Sequence, residues 1–335
     1  MSRFTLFAGI TTVMAAALAA NAQVVRTGPS SSDTPYSIPA PGSPVREVVS
    51  ILTVGDEVGG YIFVGIPDGM GGFMTGENQM SVFIDHEFTS TAGGTQRAHQ
   101  PKGFSGGAFI SQWDIAIAPG PDFLKVLSGR DAMTSVATTS NGTGGSLYNF
   151  ARFCSGDVPA VEALFNPATG LGTTNRFFIC GEESGAGGRM IATDLNTGVA
   201  YQIGAFDASQ GAWENGLARP YASDKTVVLG TSDGAANRLF LYVGEKGDMG
   251  NAADMAGLLN GISYGIQVQV DGVDVGGEDR EFCFGNAETG PIYSGTFTLA
   301  EGGTAAGTSF RRPEDGAWDP QNPTDFYVVC TDRMN

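Results

Sequence analysis

The sequence predicts an all-β protein, and three observations point to that class. Glycine makes up 50 of the 335 residues, about twice the usual share, and each glycine inside a helix would cost about 1 kcal/mol. Short apolar runs rich in Val, Ile, Phe and Tyr recur along the chain, bounded by turn dipeptides such as Asp68-Gly69, Asp233-Gly234 and Asp271-Gly272. That is the pattern of many short strands. Helical spacing is confined to two brief stretches, and a hydrophobic share of 41% is ample for a packed core.

Taken in order, residues 1–22 read as an export signal. Arg3 supplies the positive end, residues 4–18 are largely apolar, and Ala20-Asn21-Ala22 is a small-residue cleavage site. The mature chain is then expected to begin at Gln23 and to lie in the periplasm or outside the cell. No later segment is apolar for about 18 residues, so no membrane insertion is expected after cleavage. Residues 23–45 are a Ser/Pro-rich leader. Strands are predicted at 61–66, 80–84, 175–180, 225–230, 238–243, 262–270 and 325–330. Helical pieces are predicted at 158–165 and 252–259, the second capped by Asn251. Residues 46–335 are read as one β-rich domain.

The charge balance narrows the chemistry. With 35 acids against 18 bases the net charge is −17, so nucleic acid is excluded as a partner and cations are favoured. The four cysteines, Cys154, Cys180, Cys283 and Cys330, form no C-x-x-C pair. They are expected as one or two disulfides, with the pairing open, or as buried thiols. Two histidines disfavour a His-rich zinc or copper site. His86 is read as a buried, satisfied ring, the alternative being a tuner of Glu87 or a metal ligand, and His99 as a surface residue. Gly142–Gly145 lacks the Lys-Ser/Thr of a P-loop, and no G-x-S-x-G elbow occurs. Asn141-Gly142-Thr143 is a lone glycosylation sequon. The three tryptophans, Trp113, Trp213 and Trp318, are read as packing residues.

Acids recur where the apolar runs stop. VFID leads into Asp85-His86-Glu87, FFIC into Gly181-Glu182-Glu183, and TVVLG into Ser232-Asp233-Gly234; LFLYVG and FYVVCT lead to Glu245 and Asp332. Glu214 and Glu314 sit in the loop-like motifs Trp213-Glu214-Asn215 and Arg312-Pro313-Glu314-Asp315-Gly316. Polar turns alone put acids after strands, but strands radiating about an axis would bring these carboxylates to one mouth. Such a ring repels itself unless a cation neutralises it. Calcium, which takes six to eight oxygens, suits it best.

The segments GIPDGMGGF (65–73), IDHEF (84–88), RFFICGEESGAGGRM (176–190), AWENGLARP (212–220), DKTVVLGTSDG (224–234), LFLYVGEKG (239–247) and FRRPEDGAWDPQNPTDFYVVCTD (310–332) resemble the PhoX-type alkaline phosphatases and the wider PhoX-like and phytase-like β-propeller family. The resemblance implies a six-bladed propeller with a calcium- and iron-containing phosphatase centre at one end of its axis. Carried over by motif, Glu87, Glu182, Glu183, Asp233 and Glu314 match the family's metal-site acids, with Glu214 at a position that often holds another. It also implies a small phosphorylated substrate, held by basic side chains. The candidates are Arg219, Lys225, Arg311 and Arg312, with Arg219 preferred because Pro220 fixes the local chain. Arg219 and Glu314 are then the expected catalytic pair, in a monomer.

Two departures qualify the expectation. The family places Cys directly before the paired Glu, where this chain has Gly181, with Cys180 one residue earlier. A one-residue slip along a strand turns a side chain to the opposite face, which argues against the iron and leaves the oxygen-only calcium site. The chain also stops soon after its last apolar run, so either residues 45–54 complete a blade or the propeller is incomplete at its C-terminus. The second reading is a non-catalytic, calcium-stabilised propeller serving as a cell-envelope binding or structural module.

Overall fold

A computed structural model describes residues 23–137, 146–185, 187–206, 210–234, 237–274, 295–301, 307–310 and 312–331. The export signal, the Asn141 sequon, the Gly142–Gly145 loop, Cys283, Arg311 and Asp332 lie outside the described residues. The chain divides into two compact units, one of residues 1–64, 74–80 and 113–129, the other of residues 65–73, 81–112 and 130–335.

In the first unit the leader contributes a strand. β1 (Val24–Thr27) pairs in parallel with β2 (Glu47–Ser50). β3 (Glu57–Val58) and β4 (Tyr61–Ile62) form a hairpin whose turn residues Gly59 and Gly60 both have positive φ, the geometry that matches strand twist. Trp113 packs edge-on to Phe63, with ring centres 5.4 Å apart.

The rest is built mostly of strands adjacent in the chain, with β9 joining its sheet in parallel to β15. β5 (Pro67–Gly76), β6 (Gln79–His86), β7 (Phe109–Ala116) and β8 (Val126–Asp131) lie side by side in chain order. A five-stranded sheet has the order β10-β13-β14-β15-β9, from β9 (Ser135–Val136), β10 (Phe153–Asp157), β13 (Phe177–Glu182), β14 (Met190–Asp194) and β15 (Val199–Gln202). Between β10 and β13 the chain makes the small hairpin β11 (Phe165–Asn166) and β12 (Leu171–Gly172). The third sheet runs β16 (Trp213–Ala218), β17 (Lys225–Ser232), β18 (Arg238–Glu245), β19 (Ile262–Val270) and β20 (Val273–Asp274), with β21 (Thr296–Ala300) also on β19. β22 (Pro313–Trp318) and β23 (Phe326–Cys330) form a final hairpin. Among the described residues the two helices, Val161–Leu164 and Ala252–Met255, are single turns, the second capped by Asn251 as expected.

The all-β class therefore holds. The strands absent from the sequence reading include β5, β10, β16 and β22, each of which carries a glycine beside a polar or acidic residue and reads as a loop. These are the first strands of their sheets, and β10, β16 and β22 pack against one another in succession. The second unit's core fills the space behind them: Phe177, Ile179, Met190, Phe206, Trp213, Phe240 and Tyr242 in one buried cluster, Phe83, Phe150, Phe153, Phe178 and Cys180 in another. His99, expected at the surface, is buried with Nε2 2.9 Å from the Tyr148 carbonyl, and burial pushes its pKa down to about 4.

Candidate metal centre

One local structure recurs at the site. In β10, β16 and β22 an extra residue is inserted against the partner strand, between Phe153 and Gly156, Trp213 and Asn215, and Pro313 and Gly316. Such bulges bend a strand and re-aim a side chain. The residue re-aimed follows at once: Cys154, Glu214 and Glu314. Two positions before each donor the backbone is left-handed, with φ of 54° at Arg152, 54° at Ala212 and 47° at Arg312. The carbonyl of that residue accepts the N–H that follows the partner strand: Glu183 to Arg152 (2.9 Å), Asp233 to Ala212 (2.8 Å) and Thr331 to Arg312 (3.0 Å). The first sheet makes the same bond from Glu87 to Ile66 (2.9 Å), two positions before Asp68 on β5. Each sheet thus presents a pair: Asp68 with Glu87, Cys154 with Glu183, Glu214 with Asp233, Glu314 with Thr331.

The pairs converge. Asp68, Glu87 and Cys154 each offer a ligand atom within 4.8 Å of the others. So do Cys154, Glu183 and Glu214, and so do Glu214, Asp233 and Glu314. Cys154 and Glu214 are shared between groups, making one continuous run from exposed Asp68 to buried Glu214 and Asp233. The close approach of the strands depends on small residues. A Cβ on Gly69 would lie 2.0 Å from the Gly156 nitrogen, and one on Gly181 2.3 Å from the Trp213 carbonyl oxygen.

Two arginines are threaded through the acids. Arg152 Nε donates to Glu87 Oε1 at 3.0 Å, and its Nη2 pairs with Glu183. Arg312 Nη2 donates to Asp233 Oδ2 at 2.7 Å and pairs with Glu314 at 2.9 Å. Six carboxylates thus face two guanidiniums. Fully ionised, the run has four uncompensated negative charges, the charge of two divalent cations.

The protonation equilibria register this excess. Burial, then Glu314, Glu183 and Asp233, pushes Glu214 up to about 8. Burial and the neighbouring Glu214, Glu87, Asp68 and Glu183 hold Cys154 as a thiol, far above its ordinary value. Asp68 and Glu183 are raised too, burial being the main cause in each. Beneath the run lies Asp85, fully buried, with neither oxygen in a hydrogen bond of sound geometry. Burial and then Asp68 push its carboxyl well up, partly offset by the nearby Gly69 amide. An uncompensated buried carboxylate costs several kcal/mol, and a cation beside it removes that cost. The donors present therefore fit a divalent cation: carboxylate oxygens in excess, with one thiol.

Two expected residues stand apart from this run. Glu182 points to the opposite face of β13 from Glu183, as neighbours on a strand do. It is buried on Arg189, accepting from that residue's Nη2 at 3.1 Å and from the Ala151 and Arg189 amides at 3.0 Å each. Arg219 lies about 16 Å along the chain from Glu214 at strand spacing; its Nε donates to the Pro323 carbonyl and its guanidinium covers Tyr221. None of these partners is a carboxylate of the run. Lys225 pairs with Glu245 at the surface. His86 stacks on Phe109 at 4.2 Å, with Nε2 2.9 Å from Ser111 Oγ. Cys154 and Cys180 are free thiols.

Asp68 and Cys154 escape the sequence reading, the first as part of a turn dipeptide, the second as a disulfide or core candidate. A signal for Cys154 is present. Arg152-Phe153-Cys154-Ser155-Gly156, Ala212-Trp213-Glu214-Asn215-Gly216 and Arg312-Pro313-Glu314-Asp315-Gly316 share a donor, a small polar residue and a glycine in the same places. Gly181 is pressed against β16, Cys180 is buried in the core, and Cys154 reaches the carboxylates.

Fold and site together define an all-β protein with a carboxylate-rich candidate cation centre. No family model and no curated protein matches the chain. Among solved structures it is similar to Pseudomonas fluorescens PhoX in complex with vanadate, a transition state analogue, with a TM-score of 0.36 and 10% identity over 64% of this chain. The match takes in 49% of that protein, so this chain spans about half the length of the structure it matches.

Proposed function

We propose that this protein is an exported, cation-dependent hydrolase of phosphoric esters, with calcium held by Glu214, Asp233 and Glu314 and further cations held by Asp68, Glu87, Cys154 and Glu183. The observation that carries the reading is the convergence of these donors from four sheets with four negative charges uncompensated. The all-oxygen group of Glu214, Asp233 and Glu314 suits calcium. Cys154 is the one soft donor and the place where iron would enter. Bound divalent cations supply Lewis acidity and an acidified water to phosphoryl transfer. The chain's own part is to bind and orient: bulged strands fix the donors, and Glu214 ties two groups together. Arg152 and Arg312 supply the positive charge an acid-lined site needs before it can receive a phosphate. Glu314 pairs with Arg312 and shares a ligand group with Glu214. The six-bladed propeller belongs to this proposal as well; the meander order of the sheets and the bulge repeated on their first strands support it.

The test is metal analysis of residues 23–335 after purification, followed by p-nitrophenyl phosphate hydrolysis with calcium and iron, then with chelator. Chelator-sensitive turnover supports the hydrolase. Calcium uptake without turnover leaves the non-catalytic envelope module. Absence of any cation uptake refutes both.

A further inference from the structure

Arg152 and Arg312 occupy the same place in alternate copies of the repeated bulge, and both are 42% exposed at the side chain. Both hold a left-handed backbone, which is unfavourable for a residue other than glycine. Ala212, in the bulge between them, and Ile66, which makes the same backbone bond in the first sheet, show that the position demands no cation. Each arginine also straddles two copies: Arg152 bridges Glu87 of the first to Glu183 of the second, and Arg312 bridges Asp233 of the third to Glu314 of the fourth. All four of these acids belong to the groups able to hold a cation. Guanidinium and cation therefore compete for the same oxygens.

We propose that Arg152 and Arg312 are displaceable counter-ions. They hold the carboxylates in the cation-free protein, yield them when divalent cations load, and then bind a tetrahedral oxyanion of the phosphoryl class. Loading converts a run with four excess negative charges, which repels phosphate, into a neutralised one flanked by two free guanidiniums suited to two-point contact with phosphate. The fully buried Asp85, with no guanidinium or ammonium among the described residues paired to it and neither oxygen in a hydrogen bond of sound geometry, is a separate sign that positive charge belongs there. This inference rests on the cation reading above and adds an order: cation first, anion second. By linkage each must strengthen the other by the same factor.

Calorimetric titration of the mature protein tests it, with calcium and inorganic phosphate as probes. In the unaltered protein, saturating calcium is expected to raise phosphate affinity by about tenfold or more. Arg152→Gln and Arg312→Gln should each bind calcium about threefold more tightly and phosphate about tenfold more weakly, because one competitor and one anion contact are lost together. Opposite signs are the signature, since a merely structural arginine would weaken both. Variants that weaken both, or leave both unchanged, overturn the proposal, as does phosphate affinity equal in calcium and in chelator. That last comparison needs no variant and decides the matter if either substitution prevents folding. Failure of the unaltered protein to take up calcium refutes the cation reading itself; calcium uptake without opposed signs refutes only the order.

Discussion

Replacing Glu214 with glutamine should change the sign of its effect on stability when calcium is added. Glu214 is 7% exposed and lies in two of the ligand groups. Its carboxyl is raised from 4.5 to about 8, by burial first and then by Glu314, Glu183 and Asp233. The folded protein therefore holds a proton that the unfolded chain releases between those values, and cation-free stability falls as pH climbs through that window. At about 1.4 kcal/mol per unit, the ceiling by pH 8 is about 5 kcal/mol. Titration shared with three neighbouring acids reduces the part removed by one substitution to about 2 kcal/mol. In chelator, Glu214→Gln should thus raise the melting temperature at pH 8 by about 5 °C and leave it almost unchanged at pH 5. In saturating calcium the same substitution should lower it, because the shared ligand is gone. Thermal unfolding followed by circular dichroism at both pH values, with and without calcium, reads all four conditions. A variant destabilised equally in chelator and calcium at pH 8 would refute the reasoning.

Glu182→Gln leaves the Arg189 guanidinium buried without its counter-charge and should cost about 3–5 kcal/mol; a urea midpoint shift worth less than about 1 kcal/mol would contradict the pairing. Gly69→Ala drives a methyl into the Ser155–Gly156 backbone, 2.0 Å from the Gly156 nitrogen, and should weaken calcium binding by about tenfold or more. Gly204→Ala, with no atom within 4 Å of its new methyl, should not, and equal effects would detach the strand contact from the centre. Cys154, held as a thiol by burial and by the nearby carboxylates, should react with a neutral disulfide reagent at pH 8 at least about tenfold more slowly in the folded, chelated protein than in urea. Equal rates would remove it from the acidic environment.

Glu87, Glu183 and Asp233 are legible because each follows an apolar run, and the backbone places all three equivalently, one turn of the same bond pattern apart. Glu214 and Glu314 are legible as acids but not as strand residues: Glu214-Asn215-Gly216 and Glu314-Asp315-Gly316 carry turn chemistry, and the bulge that uses it lies inside a strand. Side-chain parity hides the difference between Glu182 and Glu183, since nothing local says which face of Phe177–Glu182 turns inward. Burial of Phe177, Ile179 and Gly181 on one side against β16 settles it only once the sheets are stacked. Arg219 is misplaced for a related reason: a basic residue near Glu214 in sequence is carried far from it by an extended chain. Cys154 is the deepest omission, because a thiol read singly suggests a disulfide, whereas its place beside Ser155-Gly156 corresponds to Glu214 beside Asn215-Gly216.

The donor pairs hang on four separate strand pairs, from Asp68 to Thr331, and no strand pair holds a complete ligand group alone. Pairing within each joins stretches closer in the chain than those the centre must gather, and the centre exists only when distant stretches of chain have found their register. An ion captured there works as a keystone: it reports that assembly is finished and locks the seams. Stripping it out should part the strand pairs from one another before any of them melts.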